Sequence, residues 1–317
     1  MWMIRLLILF FIVASFACKR SEVVIPVPGT KDFLSTINQS NYGGKCALLL
    51  TRFNSLAAFK EVVDITYAST VDSNITDSSR QWVQLIHHSG GRTVISVLKS
   101  GVSQADFMRA RKGTLWEKIR LGMKCPFAYR NRKSLAAIES LGRRRPWDFG
   151  KGDVAFYDLA ENMVHHLRAE DTIAMSADDL SEKGYLNTFN HITAQAFMTS
   201  AFDETTADFV ADVHELFNMP SLVSGHFTDA QLTDLKDGLV DNYIDMVNNE
   251  WGQELGKELG AKYKINRHTF WTPELLAAYL NDIQTYYSWA FQIGFLPFKT
   301  SDEMVIRFAD KINKVKP

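Results

Sequence analysis

The chain has few cysteines and no excess of charge of either sign, and each shortage excludes a class of protein. Its 317 residues contain three cysteines, too few for a disulfide framework, and no CxxC or Cys/His zinc pattern. Lysine and arginine number 35 against 36 acidic residues, so the positive excess of a nucleic-acid-binding protein is absent. With 46% hydrophobic and 22% charged residues, the composition is that of an ordinary globular protein.

One long apolar run, residues 6–16, lies near the start of the chain. It is too short to span a bilayer as a helix, which needs about 20 apolar residues. It follows Arg5 and precedes Ala17, the layout of a secretory signal with a short basic start and a small residue at the cleavage point. The next residue, Cys18, makes the site resemble a bacterial lipobox. We therefore predict a lipoprotein signal at residues 1–17 and lipidation of Cys18; an ordinary cleaved signal or an uncleaved anchor is the alternative.

Residues 18–31 carry two prolines and a glycine, a composition typical of a linker, and we predict a tether there. Lys19 and Arg20 stand where some lipoproteins have the acidic residue that retains them at the inner membrane. We therefore predict a bacterial cell-envelope protein, lipid-anchored through Cys18 in the outer membrane and facing the periplasm or the surface. The membrane is the expected partner, and nucleic acid is not.

Residues 32–317 have mainly helical periodicity, with apolar residues three and four positions apart. We predict a single all-α globular domain with at most a minor strand at residues 92–98. One helix start is marked by Thr272, a capping residue directly before Pro273. The predicted helices cover residues 46–67, 79–88, 103–121, 132–141, 153–168, 177–201, 205–217, 230–259, 273–293 and 301–315.

Two further patterns each have more than one interpretation. Three arginines at positions 143–145 precede Trp147, and they indicate either contact with anionic lipid headgroups or a polyanionic substrate, or a solvated loop with acidic partners. Histidine pairs occupy positions 87–88 and 165–166. Adjacent helical residues point about 100° apart and rarely chelate one metal together, so we expect both pairs to be structural or exposed.

The helix predicted at residues 230–259 carries a stripe of polar and small residues. The stripe consists of Asp241, Asp245, Asn248, Asn249 and Gly252. These residues share an arc of roughly 100°, beside an apolar arc and a third arc, including Gln253, that is typical of a solvated face. Aspartate, asparagine and glycine are unfavourable in a helix interior, so a face that repeats them is expected to have a function.

Two earlier predicted helices carry imidazoles on largely apolar faces. His191 shares a face with Asn187, and His214 lies on the stripe of Ala207 with Glu215 directly after it. A buried imidazole must be hydrogen-bonded or ligated, since an unsatisfied buried polar group costs about 1–3 kcal/mol. We predict that polar side chains from three helices converge on one site within residues 186–260. A buried polar network that sets helix register without chemistry is the alternative.

Three segments around these residues, FNH at 189–191, ADFVADVHE at 207–215 and DMVNNEWG at 245–252, resemble an uncharacterised bacterial family of secreted proteins and domains. That family has, in order, an aromatic-x-His helix, an Ala-rich helix ending in His-Glu and an Asp-x-x-Asn-Asn-x-x-Gly helix. It usually has Arg before the first His and often His before the Asn pair, where this chain has Asn190 and Val247. The resemblance spans about residues 186–259 and implies a site without naming a reaction. The matching residues are His191, His214, Glu215, Asp245, Asn248, Asn249 and Gly252.

The resulting hypothesis is a hydrolase of the bacterial envelope with a divalent metal as its possible cofactor. Envelope components such as peptidoglycan fragments or phospholipids are the candidate substrates. The alternative is a non-enzymatic lipoprotein that binds a partner or small ligand through the aromatic-rich residues 279–298, with a purely structural polar cluster. In the hydrolase hypothesis, the catalytic candidates are Glu215, His214, Asn248 and Asn249. The roles are metal binding or water orientation by His191, His214 and Asp245, general-base catalysis by Glu215, and substrate or oxyanion binding by Asn248 and Asn249.

Overall fold

The computed structural model of the protein describes residues 53, 55–67, 81–234 and 238–316. Within them the fold is mostly helical with one small sheet, which confirms the predicted fold class. The predicted signal at residues 1–17, the tether at 18–31 and Cys46 lie outside the described residues. None of the described helices combines the length and the hydropathy that crossing a bilayer requires.

The strands lie near the start of the described chain, and helices form most of the regular structure after them. The strands are β1 (Val63–Tyr67), β2 (Trp82–Ser89) and β3 (Arg92–Lys99). The helices are α1 (Leu56–Phe59), α2 (Gln104–Lys112), α3 (Leu115–Lys124), α4 (Pro126–Arg130), α5 (Arg132–Leu141), α6 (Pro146–Phe149), α7 (Phe156–His165), α8 (Ala169–Thr172), α9 (Tyr185–Ala201), α10 (Glu204–Asn218), α11 (Asp229–Thr233), α12 (Leu239–Lys262), α13 (Pro273–Phe291) and α14 (Glu303–Val315).

The predicted strand at residues 92–98 is confirmed as β3, and it belongs to an antiparallel sheet in the order β1–β2–β3. Strands β2 and β3 form a hairpin that turns at Gly90 and Gly91. Both glycines have positive φ, +58° and +77°, as the tight two-residue turns that match strand twist require. Glycine is therefore needed at this turn for a conformational reason.

The other two strands correct the helix predictions for residues 46–67 and 79–88. Residues 79–88 supply most of β2, where Val83, Leu85 and His87 are buried at alternate positions. That spacing has the period of two of a half-buried strand, so the helical period predicted for this short apolar run is wrong. The described part of residues 46–67 forms α1 and β1 instead of one long helix.

Local capping divides one predicted helix and sets the start of another. The stretch 103–121 is divided between α2 and α3, since the backbone N–H of Thr114 donates to the Glu117 carboxylate and starts a new helix. Thr272 caps α13 as expected, its hydroxyl accepting a hydrogen bond from the N–H of Leu275 at 3.2 Å. Capping residues thus decide these boundaries more sharply than apolar periodicity does.

Helix α12 is the centre of the fold, in contact with α9, α10 and strands β2 and β3. Its approach to α9 is very close at two glycines. A Cβ added at Gly252 would lie 2.9 Å from the carbonyl oxygen of Ile192, and one at Gly256 would lie 2.5 Å from that of Ala196. These glycines let two backbones meet, and this contact fixes how the polar residues of α9 face those of α12.

The aromatic residues of 279–298 belong mainly to the hydrophobic core. Tyr286, Tyr287 and Phe298 are buried, and the ring of Tyr287 stacks on Phe189 with centroids 4.1 Å apart. The hydroxyl of Tyr287 also lies 2.8 Å from that of Thr193. Most of these rings are therefore engaged in core contacts and not presented to solvent.

Two of the three arginines at positions 143–145 have acidic partners, as the solvated-loop interpretation expected. Arg144 makes a bidentate ion pair with Asp158, and Arg145 lies 3.2 Å from the carboxylate of Glu139. Lys311 lies beneath the same loop and holds α14 in place through a buried ion pair of 2.7 Å with Asp153.

The two histidine pairs have structural contacts. His87 is buried and accepts a hydrogen bond of 3.0 Å from the indole N–H of Trp251, which ties β2 to α12. Burial lowers the pKa of His87 to about 4, with neighbouring His88 as a smaller cause. His166 lies 3.2 Å from the side-chain amide of Gln284. These contacts agree with the expectation that the pairs are structural or exposed.

Candidate functional site

Three helices bring one histidine and two carboxylates together beneath the surface. His191 comes from α9, Glu215 from α10 and Asp245 from α12, and one potential ligand atom of each lies within 4.8 Å of the other two. We call these three residues the HED group. Helix α10 is placed for this contact by Asp203, whose carboxylate caps its first turn by accepting from the N–H of Thr206 at 2.7 Å.

The ring of His191 is oriented by Asn249. Its Nδ1 lies 3.0 Å from the Oδ1 atom of Asn249, and its Nε2 lies 3.3 Å from a carboxylate oxygen of Asp245. An amide oxygen only accepts hydrogen bonds, so with the amide oriented this way Nδ1 carries the proton. The unprotonated Nε2 of the neutral ring then points into the HED group, which is the arrangement of a metal-ligating histidine supported from behind.

The carboxylate of Asp245 is held by an amide on the facing helix. Asn187 donates to it at 3.0 Å and lies 3.4 Å from a carboxylate oxygen of Asp241, so one amide bridges two acidic residues one turn apart on α12. Burial is the main cause that raises the pKa of Asp245, with the charge of Glu182 adding to it, while the Asn187 hydrogen bond opposes the shift.

Glu215 is the least satisfied member of the HED group. Only 1% of its surface is exposed, and among the described residues neither carboxylate oxygen has a hydrogen-bond partner of normal geometry. Burial raises the pKa of Glu215 well above its ordinary value, and the charges of Asp245 and Asp241 raise it further. The amide of Asn249 favours the charged form, but by less. A buried, ionised carboxylate without hydrogen-bond partners destabilises the folded protein unless it is protonated or binds a cation.

The electrostatics of the HED group therefore favour an added positive charge. Burial lowers the pKa of His191, so its imidazole is neutral near physiological pH and does not compensate the acids. Two adjacent buried carboxyl groups cannot both ionise at low cost. Either they share protons or a divalent cation balances both charges.

His214 lies beside the HED group and outside it. Its ring centroid is 6.2 Å from that of His191, and its Nδ1 is 3.4 Å from the Oε1 atom of Gln104. The outer part of the side chain is exposed, although the surrounding protein and then His191 lower its pKa to about 4. His214 thus lies on the solvent-exposed side of the site, and its imidazole is neutral near physiological pH.

Helix α10 is rotated relative to the sequence expectation. Its inward positions include Ala207, Ala211 and Glu215, which are four residues apart, whereas Phe217 is 42% exposed. Glu215 therefore occupies the place among the potential ligands that the sequence assigned to His214. Adjacent helical residues differ by about 100°, so a small change of phase exchanges the two.

On α12, the structure brings Asp245 and Asn249 to the site. Asn248 is buried one position earlier and points about 100° away from Asn249. Gln253 lies on the arc that was expected to be solvated, but it is buried and donates to Gln195 of α9 at 3.4 Å. Nothing in the neighbouring sequence predicts the burial of Gln253, because that burial depends on the close approach of α9 to α12 at Gly252 and Gly256.

Comparison of the chain with models of known protein families, with curated proteins and with solved structures found no match. The function is therefore inferred from the geometry and chemistry of the HED group and its surroundings. The site defines a class only in chemical terms, as one neutral imidazole and two buried carboxyl groups with a partly exposed histidine beside them.

Proposed function

We propose that the HED group binds one divalent cation and that the protein is a metal-dependent hydrolase of the bacterial cell envelope. The observation that carries the proposal is the convergence of His191, Glu215 and Asp245 within 4.8 Å, with the buried Glu215 carboxylate lacking a normal hydrogen bond among the described residues. A buried polar network of purely structural purpose would be expected to satisfy that carboxylate.

The donor set suits a divalent transition metal. One imidazole nitrogen and two carboxylates are ligands that Zn²⁺, Mn²⁺ and Fe²⁺ accept, and two negative charges balance the charge of such an ion. Three protein ligands leave coordination positions for water and substrate, as in catalytic sites. Asn249 and Asn187 hold two of the three ligands from behind, the support that functional metal sites usually have.

A bound divalent cation would supply Lewis acidity and lower the pKa of an attacking water. The chain itself supplies the remaining functions. His214 is neutral near physiological pH and partly exposed, so it can accept the proton of that water and deliver it to a leaving group. Asn249 keeps the His191 ring in one orientation throughout.

The first experiment measures metal binding by the purified full chain. After chelator treatment and titration with Mn²⁺ or Zn²⁺, we expect about one ion per chain and a rise in melting temperature, since an ion that binds only the folded state stabilises it. Glu215→Gln should lose the ion. Glu258→Gln is the matched control, because Glu258 is an acid of α12 that pairs with Arg92 at 2.9 Å outside the site. Equal metal binding by wild type and Glu215→Gln would contradict the proposal.

A second experiment separates catalysis from binding. We expect the metal-loaded chain to hydrolyse an activated carboxylic or phosphoric ester, and a chelator to stop it. His214→Gln should lower kcat by a factor of about 10² or more, the usual effect of losing a general base, with metal content unchanged. A metal-loaded chain in which His214→Gln keeps full kcat would exclude His214 as the base.

The cell-envelope location rests on Cys18 and is tested separately. If Cys18 is acylated, Cys18→Ser should release the protein from the membrane fraction or leave it as an unprocessed precursor. Mass spectrometry of the mature N-terminus is the decisive measurement. A lipid-free N-terminus at another residue would contradict the anchor and leave the metal site untouched.

A further inference from the structure

Residues 104–133 differ in charge from the rest of the protein. This segment carries nine lysines and arginines and two acidic residues, a net charge of +7, whereas the whole chain has a net charge of −1. It forms helices α2, α3 and α4 and the start of α5. The positive charge is thus concentrated on a small part of the fold that lies outside the HED group.

Helix α3 presents an apolar face to solvent. Leu115 and Trp116 are 71% and 77% exposed, and Met123 is 58% exposed. Together with Ile119, which is also exposed, they occupy an arc of about 100° around the helix. Single exposed apolar residues are common on protein surfaces, but four on one arc of a ten-residue helix form a patch.

The opposite side of α3 is held by the protein. Leu121 lies about 190° from the centre of the exposed arc and packs against a small core of Val102, Cys125 and Ala128. Helix α3 therefore has two apolar faces. One is packed against the protein, and the other is exposed to solvent.

Cations flank this apolar arc on both sides. Lys118 and Arg120 lie about 60° before and about 40° beyond its edges. Within the described part of the chain, several cations of the segment have no ion pair with a carboxylate: Lys112, Lys118, Arg120, Arg130 and Lys133. Their charges are therefore available to a negatively charged partner.

A second exposed tryptophan lies near the same region. Trp147 is 91% exposed and follows the arginines at 143–145. Arg145 and Arg111, at the end of α2, both pair with the carboxylate of Glu139, at 3.2 and 2.5 Å. The start of α6, which carries Trp147, is thus linked through Glu139 to the end of α2, a few residues before α3.

We propose that this surface, the exposed arc of Leu115, Trp116, Ile119 and Met123 with its flanking cations, docks on an anionic lipid bilayer. The partner must offer negative charge next to apolar material, and anionic headgroups above acyl chains offer both. Tryptophan suits the boundary between them, and lysine and arginine stems reach from the apolar layer to the phosphates. The inference does not depend on the metal site or on acylation of Cys18.

The test uses the full chain with Cys18→Ser, so that lipidation does not contribute. We expect co-sedimentation with vesicles of equal parts phosphatidylcholine and phosphatidylglycerol, weakened by added salt and much lower on phosphatidylcholine alone. The double change Lys118→Glu and Arg120→Glu should weaken the partition by about tenfold or more. Lys299→Glu with Lys314→Glu is the charge-matched control outside the segment, and it should bind like wild type. All variants share residues 1–17, so differences between them report on the surface.

The apolar arc is tested by substituting one exposed isoleucine on it and another exposed isoleucine elsewhere. Ile119→Gln should weaken vesicle binding, whereas Ile173→Gln, at an exposed position on another surface, should not. Brominated phosphatidylglycerol should quench wild-type fluorescence more than that of Trp116→Phe. Unchanged melting temperatures would show that all these variants fold.

Three results would overturn the proposal. They are equal partition onto neutral and anionic vesicles, identical quenching of wild type and Trp116→Phe, or binding to duplex DNA at the same salt without binding to anionic vesicles. The last result would assign the positive surface to nucleic acid. Metal binding is expected to be unaffected in every variant, so failure here leaves the proposed function standing.

Discussion

At the scale of single residues, Asn249 acts on two members of the HED group. Its amide oxygen lies 3.0 Å from the Nδ1 atom of His191, and the same amide favours the charged form of Glu215. It is 3% exposed, so water does not readily replace it. One side chain therefore sets the tautomer of the imidazole and moderates the charge of its neighbour.

We expect Asn249→Ala to weaken metal binding by about 10- to 100-fold, the usual effect of removing a group that orients a ligand. The metal-free protein should lose about 1–3 kcal/mol of unfolding free energy, because a buried imidazole N–H is left without its acceptor. Metal titration and chemical denaturation measure the two effects. Asn266→Ala, at an exposed loop position, is the control, and unchanged metal affinity in Asn249→Ala would contradict the assigned role.

At the scale of elements, the crossing of α9 and α12 decides which polar residues meet. The two backbones approach most closely at Gly252 and Gly256, one and two turns beyond the part of α12 that carries Asp245 and Asn249. A larger residue at either glycine would separate the helices and, with them, the residues that hold His191 and Asp245 together.

Gly256→Ala should destabilise the protein by about 1–3 kcal/mol, the usual cost of overpacking. The added methyl group would lie 2.5 Å from the carbonyl oxygen of Ala196, a backbone atom that cannot move aside alone. Gly260 is the matched control one turn later, where the nearest atom would be 3.6 Å away. Gly260→Ala should be neutral or stabilise by up to about 1 kcal/mol through helix propensity. Equal effects of the two changes in urea denaturation would contradict this account.

At the scale of the whole molecule, the buried carboxyl groups make stability depend on pH. Burial raises the pKa of both Glu215 and Asp245 in the folded state. Between their ordinary values and the raised ones, the folded protein binds more protons than the unfolded chain, so the free energy of unfolding falls as pH rises. The pKa values of His191 and His214 are lowered, so these residues make the free energy of unfolding rise with pH. They do so only below about pH 6.5, the ordinary histidine pKa.

We therefore expect the metal-free protein to lose stability from about pH 7 to about pH 9, where the histidines are neutral in both states. Glu215→Gln should flatten this slope, because the amide keeps the shape of the carboxyl group and does not ionise. A divalent cation should stabilise the wild type more at the upper end of the range, since metal binding requires deprotonated ligands. Thermal melts across the range measure all three, and a stability that rises above neutrality without metal would disprove the shifts.

The sequence alone determined the helical class and several features of the site. The repeated aspartate and asparagine residues of α12 marked one of its faces, because such residues are unfavourable in a helix and their spacing is visible without a structure. Thr272 predicted the start of α13, because the capping hydrogen bond that it makes spans only three residues and is therefore visible in the sequence. Interactions within one or two turns leave a local pattern.

The tertiary structure decided what long-range packing controls. The choice of Glu215 over His214 as the inward residue depends on the phase at which α10 meets its neighbours, and the two are adjacent in sequence. The strand at β2 and the burial of Gln253 likewise depend on partners distant along the chain, which local periodicity does not encode. The sequence thus indicated which residues could form a site, and the meeting of three helices selected those that lie together, because close packing between elements admits one phase.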